Sequence, residues 1–295
     1  MLLPKFQYHE PKTLEEVLRL LSELGGNAKL LAGGTDLLVR MKLGVDRPSH
    51  VISLEKVPRL NEITLRETHG VGIGSAVTAA ELAENELIRD RFVPLAIASS
   101  RLGAPMIRNR ATIGGNLVNA RPAADLSPAC MVLSANLKIK SLNMERHVSA
   151  NDFFVGPGQT VLEDNELLVG VEIETPPPWT GGSYLKLGAR KALEISMVNV
   201  ACLLTLSSSD GHISDVRLAL GAVAPTPVRA LAAEEFLLGQ KPSGSLFKEA
   251  GAIGVGMCSP ITDHRRTMEY RCMMIESLTH RALQQAYHKA VEWKP

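Results

Sequence analysis

The chain has 295 residues, enough for two domains with real cores, and its 45% hydrophobic and 21% charged content argues against disorder. Lys+Arg 32 against Asp+Glu 31 leaves a net charge of +1, without the basic excess of a nucleic-acid binder, and 4% aromatics give no stacking platform for bases.

Leu14, Val17, Leu18 and Leu21 predict a helix over 13–24. Thr13 and Glu16 open it as a capping-box pair, and Gly25 and Gly26 close it. A short apolar strand at 28–32 runs directly into Gly33-Gly34-Thr35-Asp36, and residues 37–41 stay apolar. Residues 50–54 read as a strand, and 69–75 as a glycine-alternating edge or bulged strand. A second capping box, Thr78 with Glu81, opens a helix over 79–90, and 94–102 is helical. Residues 110–116 read as a strand entering a second Gly-Gly turn. A helix over 122–134 and strands at 137–140 and 168–174 come next. Pro176, Pro177 and Pro178 mark a linker, because prolines continue neither a helix nor a central strand. Beyond it, 183–187, 199–207 and 213–222 predict antiparallel strands, with Asp210-Gly211 as a hairpin signal. Helices over 229–238, 245–256 and 265–293 end the chain. The fold class is α+β: an N-terminal domain over 1–177, then a smaller α+β domain over 178–295 with a three-stranded antiparallel sheet and helices.

The two glycine turns carry the chemical information. Leu30-Leu31-Ala32-Gly33-Gly34-Thr35-Asp36-Leu37 and Thr112-Ile113-Gly114-Gly115-Asn116 share one expected design: a strand, two glycines, a polar residue. Glycine pairs let successive N–H groups point into one concavity, and such nests hold phosphate oxygens. Two nests suit the two phosphates of a dinucleotide, with Thr35, Asp36 and Asn116 adding hydrogen bonds; two ordinary turns are the alternative. Other nucleotide motifs are missing. Ser75 stands where Gly70-Val71-Gly72-Ile73-Gly74 would need its third glycine, and there is no P-loop. Neither H-E-x-x-H nor G-x-S-x-G occurs. Cys130, Cys202, Cys258 and Cys272 form no C-x-x-C pair and read as reduced, mostly buried thiols. His280 and His288 read as a solvated helix face, and Asp263-His264-Arg265-Arg266 as a charged helix start. No apolar run reaches the roughly 18 residues of a membrane span, and MLLPKFQYHEPK lacks the apolar centre of a signal peptide, so a cytoplasmic location is expected. Nests without an acid, base or metal set suit a protein whose cofactor does the chemistry, and flavins fit that logic.

The paired glycine motifs, with Ile107-Arg108-Asn109-Arg110, Pro122-Ala123-Ala124-Asp125 and Gly221-Ala222-Val223-Ala224-Pro225-Thr226-Pro227, resemble the FAD-binding medium subunit of molybdenum hydroxylases. That family includes xanthine dehydrogenase, nicotinate dehydrogenase and carbon monoxide dehydrogenase subunits, and the resemblance extends over nearly the whole chain. It implies a p-cresol-methylhydroxylase-type FAD domain over 1–177, with subdomains of about 1–57 and 58–177, then the family's C-terminal domain over 178–295.

The resemblance also implies roles. Leu30, Leu31, Ala32, Gly33, Gly34, Thr35, Asp36 and Leu37, with Thr112, Ile113, Gly114, Gly115 and Asn116, would hold the pyrophosphate and ribityl chain. Asp125 would hydrogen-bond the sugar portion, and Leu102, Leu168 and Lys186 would line the FAD. Thr35 stands where covalent flavoproteins of related fold carry histidine, so FAD is expected to be non-covalent. The molybdenum cofactor is expected on a large partner subunit and [2Fe–2S] clusters on a small one, in a dimer of heterotrimers. Electrons would pass from the iron–sulfur subunit through FAD to NAD or another acceptor. Thr35-Asp36 in place of His-Ser leans toward the xanthine and nicotinate branches. The rival readings are a stand-alone flavin oxidoreductase of the same fold and a cofactor-free assembly protein.

Overall fold

The computed structural model describes residues 3–66, 70–190, 194–207 and 211–292. The first layer alternates strands and helices: β1 (Gln7–His9), α1 (Leu14–Leu24), β2 (Ala28–Leu31), α2 (Leu37–Lys42) and β3 (His50–Ser53). Its sheet is parallel, in the order β1-β3-β2. Both halves of the Thr13–Glu16 capping box form, and Val17, Leu18 and Leu21 bury against Ile52 and Leu54.

The second layer is a five-stranded antiparallel sheet. β4 (Ile63–Arg66) and β5 (Gly70–Gly74) precede a helical excursion: α3 (Ala79–Glu84), α4 (Glu86–Arg91), α5 (Val93–Arg101), α6 (Pro105–Arg108), α7 (Ile113–Val118) and α8 (Leu126–Val132). The chain returns through β6 (Asn136–Lys140), β7 (Glu145–Ser149), a small hairpin of β8 (Phe154–Gly156) and β9 (Gln159–Thr160), and β10 (Leu167–Glu174). The strand order is β4-β5-β10-β6-β7. Leu167 and Val169 of β10 join the core of the first layer, which ties the two subdomains together.

Three expectations are corrected by the structure. β5 lies between β4 and β10 and is no edge strand. Its glycines serve close approach: a Cβ on Gly74 would collide with the Leu60 carbonyl oxygen. The single helix expected over 79–90 is two, because the Asn85 side chain accepts from the Ile88 N–H and caps a new start. The strand expected over 110–116 is a lone bridge, Thr78 to Thr112, followed by α7. Thr112 is extended, and its hydroxyl accepts from Gly115 N–H at 3.1 Å. That N-cap turns the chain into a helix, and Ile113 and Leu117 bury its apolar face.

The proline run connects β10 to the C-terminal sheet of β11 (Thr180–Leu187), β12 (Val198–Leu206), β13 (Ile213–Gly221) and β14 (Val228–Arg229). The two-residue β14 extends the three antiparallel strands that the sequence predicts. α9 (Leu231–Leu237), α10 (Gly244–Val255) and α11 (Met268–Glu292) complete the domain. All nine residues of β12 are buried, because both sheet faces are covered. Val200, Cys202 and Leu204 pack with Ala282 and Leu283 of α11, whereas Ala201 and Leu203 enter the core of the second layer. The charged segment 263–266 precedes the helix: Asp263 accepts from the N–H groups of Arg265 and Arg266 and from the buried Arg271 guanidinium. His280 is half-buried, with Nε2 shielded from solvent, so it lies off the solvated face that His288 occupies. His69 and Trp293, which end predicted elements, and Asp210 of the hairpin signal lie outside the described residues.

Candidate functional site

Both glycine turns open on one cleft of about 670 Å³, within the range of small-molecule and cofactor pockets. The first turn sits between β2 and α2. It contributes Leu30, Ala32, Gly33, Gly34, Thr35, Asp36 and Leu37 to the wall. Thr112, Gly114, Gly115 and Asn116 come from the start of α7. Leu102 and Leu168 supply apolar surface. The two turns touch: a Cβ on Gly33 would collide with the Arg110 carbonyl oxygen. Only glycine permits that approach. Gly34 adopts φ +72°, a left-handed conformation that side chains disfavour.

The turns differ in what their amides do. The N–H groups of Gly34, Thr35, Asp36 and Leu37 have no acceptor among the described residues. They form a row of open donors on the cleft wall. In the second turn the four N–H groups from Ile113 to Asn116 are all taken. Ile113 N–H donates to Val77 O at 2.9 Å, and Gly114 N–H to Ser75 O at 2.8 Å. Gly115 N–H donates to the Thr112 hydroxyl, and Asn116 N–H to Thr112 O. The expectation of two nests is therefore corrected at these amides: the Val77 and Ser75 carbonyls take two of the second set of donors, and the start of α7 takes the other two. The Asn116 side chain is partly occupied too, since its Oδ1 accepts from Leu126 N–H at 3.2 Å.

Four predicted site residues do not line the cleft. The Leu31 side chain lies beneath Gly34, whose added Cβ would meet it at 3.0 Å. Ile113 is wholly buried in the core. Asp125 and Lys186 lie at the seam between the two domains and pair with each other at 2.8 Å. Lys186 also donates to Arg101 O at 3.2 Å, one residue before the cleft-lining Leu102. Its third N–H has no acceptor among the described residues.

Other cleft residues carried no sequence signal. Lys29 and Arg121 line the wall near Asp46, whose own partner is Arg40. The Ser75 hydroxyl is buried without a hydrogen-bond partner and also lines the cleft. Most of residues 158–168 also line the cleft. Glu166 anchors them, accepting two bonds from Arg146 at 2.7 Å and one from Glu163 N–H at 3.0 Å. The Arg146 hydrogen bonds hold the Glu166 carboxyl below its ordinary value, against the opposing effect of burial. These residues reach the cleft only through tertiary folding, so no local spacing marks them. Among the described residues, no group of three or more His, Cys, Asp or Glu could hold a metal ion, and no helix is long and apolar enough to cross a membrane.

Comparison with known proteins agrees with this architecture. The family described as the FAD binding domain in molybdopterin dehydrogenase matches residues 4–176, and that of the CO dehydrogenase flavoprotein C-terminal domain matches 183–286. The chain belongs to the FAD-binding medium subunits of the molybdenum hydroxylases. The carbon monoxide dehydrogenase medium chain of Hydrogenophaga pseudoflava is 32% identical over 287 residues, covering 97% of this chain and 99% of that protein. The xanthine dehydrogenase FAD-binding subunit of Escherichia coli O157:H7 is 32% identical over 280 residues, covering 95% of each. The solved structure of carbon monoxide dehydrogenase from Hydrogenophaga pseudoflava superposes with a TM-score of 0.93 at 34% identity, covering 98% of this chain and 99% of that one. Quinoline 2-oxidoreductase from Pseudomonas putida 86 gives 0.92 at 28% identity, covering 98% and 99%. Equal identity to the carbon monoxide and xanthine enzymes means that overall similarity does not separate those branches. As a medium subunit, the chain is an oxidoreductase component of a larger complex.

Proposed function

We propose that the cleft holds FAD non-covalently and that the protein relays electrons within a molybdenum hydroxylase complex. The observation that carries this reading is the row of four open N–H groups from Gly34 to Leu37, on the wall of a cleft that both glycine turns share. Backbone donors at a helix start suit a pyrophosphate. Lys29 and Arg121 add positive charge beside them. Gly33 keeps the turns close enough for one elongated ligand to contact both. Thr112 and Asn116 face the ribityl chain in this reading, and Leu102 and Leu168 contact apolar parts of the cofactor. Asp125 and Lys186 stand behind the Leu102 end, from where the Lys186 charge acts on the ring system in this reading.

FAD, when bound, supplies reversible two-electron chemistry. The chain itself binds, orients and shields the cofactor, and no side chain needs to act as acid or base for electron relay. The electrons come from a [2Fe–2S] subunit, itself fed by a large subunit with the molybdenum cofactor, in a dimer of heterotrimers. The final acceptor is NAD or another oxidant, and substrate chemistry of the xanthine type takes place on the large subunit. The names of the relatives support this reading, since several are medium chains of dehydrogenases.

The test is a visible spectrum of the purified chain after incubation with FAD and desalting. Flavin bands near one equivalent, released by denaturation, are expected. A colourless protein contradicts the reading.

A further inference from the structure

The seam between the two domains holds a buried polar cluster that no motif announces. Tyr184 donates to Asp125 Oδ1 at 2.7 Å, and Ser196 donates to the same oxygen at 2.9 Å. Lys186 takes the other oxygen, Oδ2, at 2.8 Å. Tyr184, Ser196 and Asp125 are at most 6% exposed. Asp125 belongs to the N-terminal domain and the other three to the C-terminal one. The cluster touches the cleft wall twice: Lys186 through Arg101 beside Leu102, and Asp125 through Leu126, whose N–H is held by Asn116.

We propose that Tyr184 and Ser196 are positioning residues that fix the Asp125 carboxylate and draw its charge onto Oδ1, so that Lys186 keeps a positive field on the flavin. The proposal rests on FAD occupying the cleft. A carboxylate shared among three donors presents less charge to any one of them. In a partly dehydrated seam that redistribution is felt over several ångströms. Burial, and then the charge and hydrogen bond of Asp125, push the Tyr184 phenol well above its ordinary value. The phenol therefore stays protonated and remains a donor. An ammonium near the cofactor favours its reduced, more electron-rich form. Loss of the Tyr184 or Ser196 hydroxyl returns negative charge to Oδ2, screens Lys186 and lowers the reduction potential.

The test loads the full-length chain with FAD and equilibrates it against a reference dye. Tyr184→Phe and Ser196→Ala are each expected to keep flavin and to shift the reduced-to-oxidised ratio about tenfold toward oxidised, roughly 30 mV for two electrons. Lys186→Met should shift it further in the same direction. Wild-type potentials in both hydroxyl variants, even with a lowered melting temperature, would make the cluster a domain clamp and overturn the proposal. An upward shift overturns it as well. Failure of the unmodified chain to bind FAD is a different outcome: it removes the cofactor reading and this proposal together.

Discussion

The two glycine turns look alike in sequence and differ in the folded protein. The first keeps the N–H groups of Gly34 to Leu37 open to the cleft. The second gives its N–H groups to Ser75, Val77 and Thr112. A Gly-Gly pair therefore does not make a nest by itself. The surroundings decide: Asp36 starts α2 without a side-chain cap, whereas the Val77 and Ser75 carbonyls take the Ile113 and Gly114 N–H groups and Thr112 caps α7 with its hydroxyl. The first turn is built to bind, and the second to bring a wall close.

The largest expected effect comes from the contact that joins the turns. Gly33→Ala sets a methyl group against the Arg110 backbone oxygen, which cannot move as a side chain would. It should destabilise the protein by roughly 3 kcal/mol and abolish FAD retention, as read by thermal melting and by absorbance after desalting. Unchanged melting would mean that the turns are not in fixed contact.

Next is the part of the cleft wall built by residues 158–168. Arg146→Met leaves the buried Glu166 carboxylate without its partner and should cost roughly 2–3 kcal/mol in chemical denaturation. The same pair sets an acid limit. Its folded-state acidity is stronger than its unfolded value, so its stabilisation is complete above about pH 4.5 and is lost as pH falls below that. Stability and FAD retention should decline together on acidification in the wild type, and less steeply in Arg146→Met.

Smaller effects separate the turns themselves. Gly34→Ala imposes a positive φ on a side chain, worth about 1–2 kcal/mol, at the open donors. It should weaken FAD binding by more than it lowers stability. Thr112→Ala should cost about 1 kcal/mol of stability through the lost cap and weaken FAD binding less than Gly34→Ala does. Equal losses of affinity in both variants would erase the distinction. Arg121→Met should weaken FAD by about fivefold, roughly 1 kcal/mol, with little change in melting.

Much of this was legible in the sequence because the signals are local. The capping boxes at Thr13 and Thr78, the apolar spacing of α1 and the apolar runs of β12 and β13 mark their elements directly. The glycine-turn motifs placed the wall of the cleft that carries the open donors. The helix at α7 was missed because Ala111-Thr112-Ile113 has the composition of a strand, although the Thr112 cap and the Ile113–Leu117 spacing were present to read. Ser75, Arg121 and the 158–168 wall were illegible because the fold brings them to the cleft from outside the two motifs, and Lys29 because a lysine in a strand carries no signal of its own. Asp125 and Lys186 were singled out, but their mutual pairing depends on a contact between two domains.

The most direct test of the central distinction is residue-resolved amide hydrogen exchange with and without FAD. The account predicts fast exchange at Gly34 to Leu37 in the free chain, slowed many-fold by FAD. It predicts that Ile113 to Asn116 are protected already and change little. Equal FAD-induced protection in both turns, or none in the first, would contradict it.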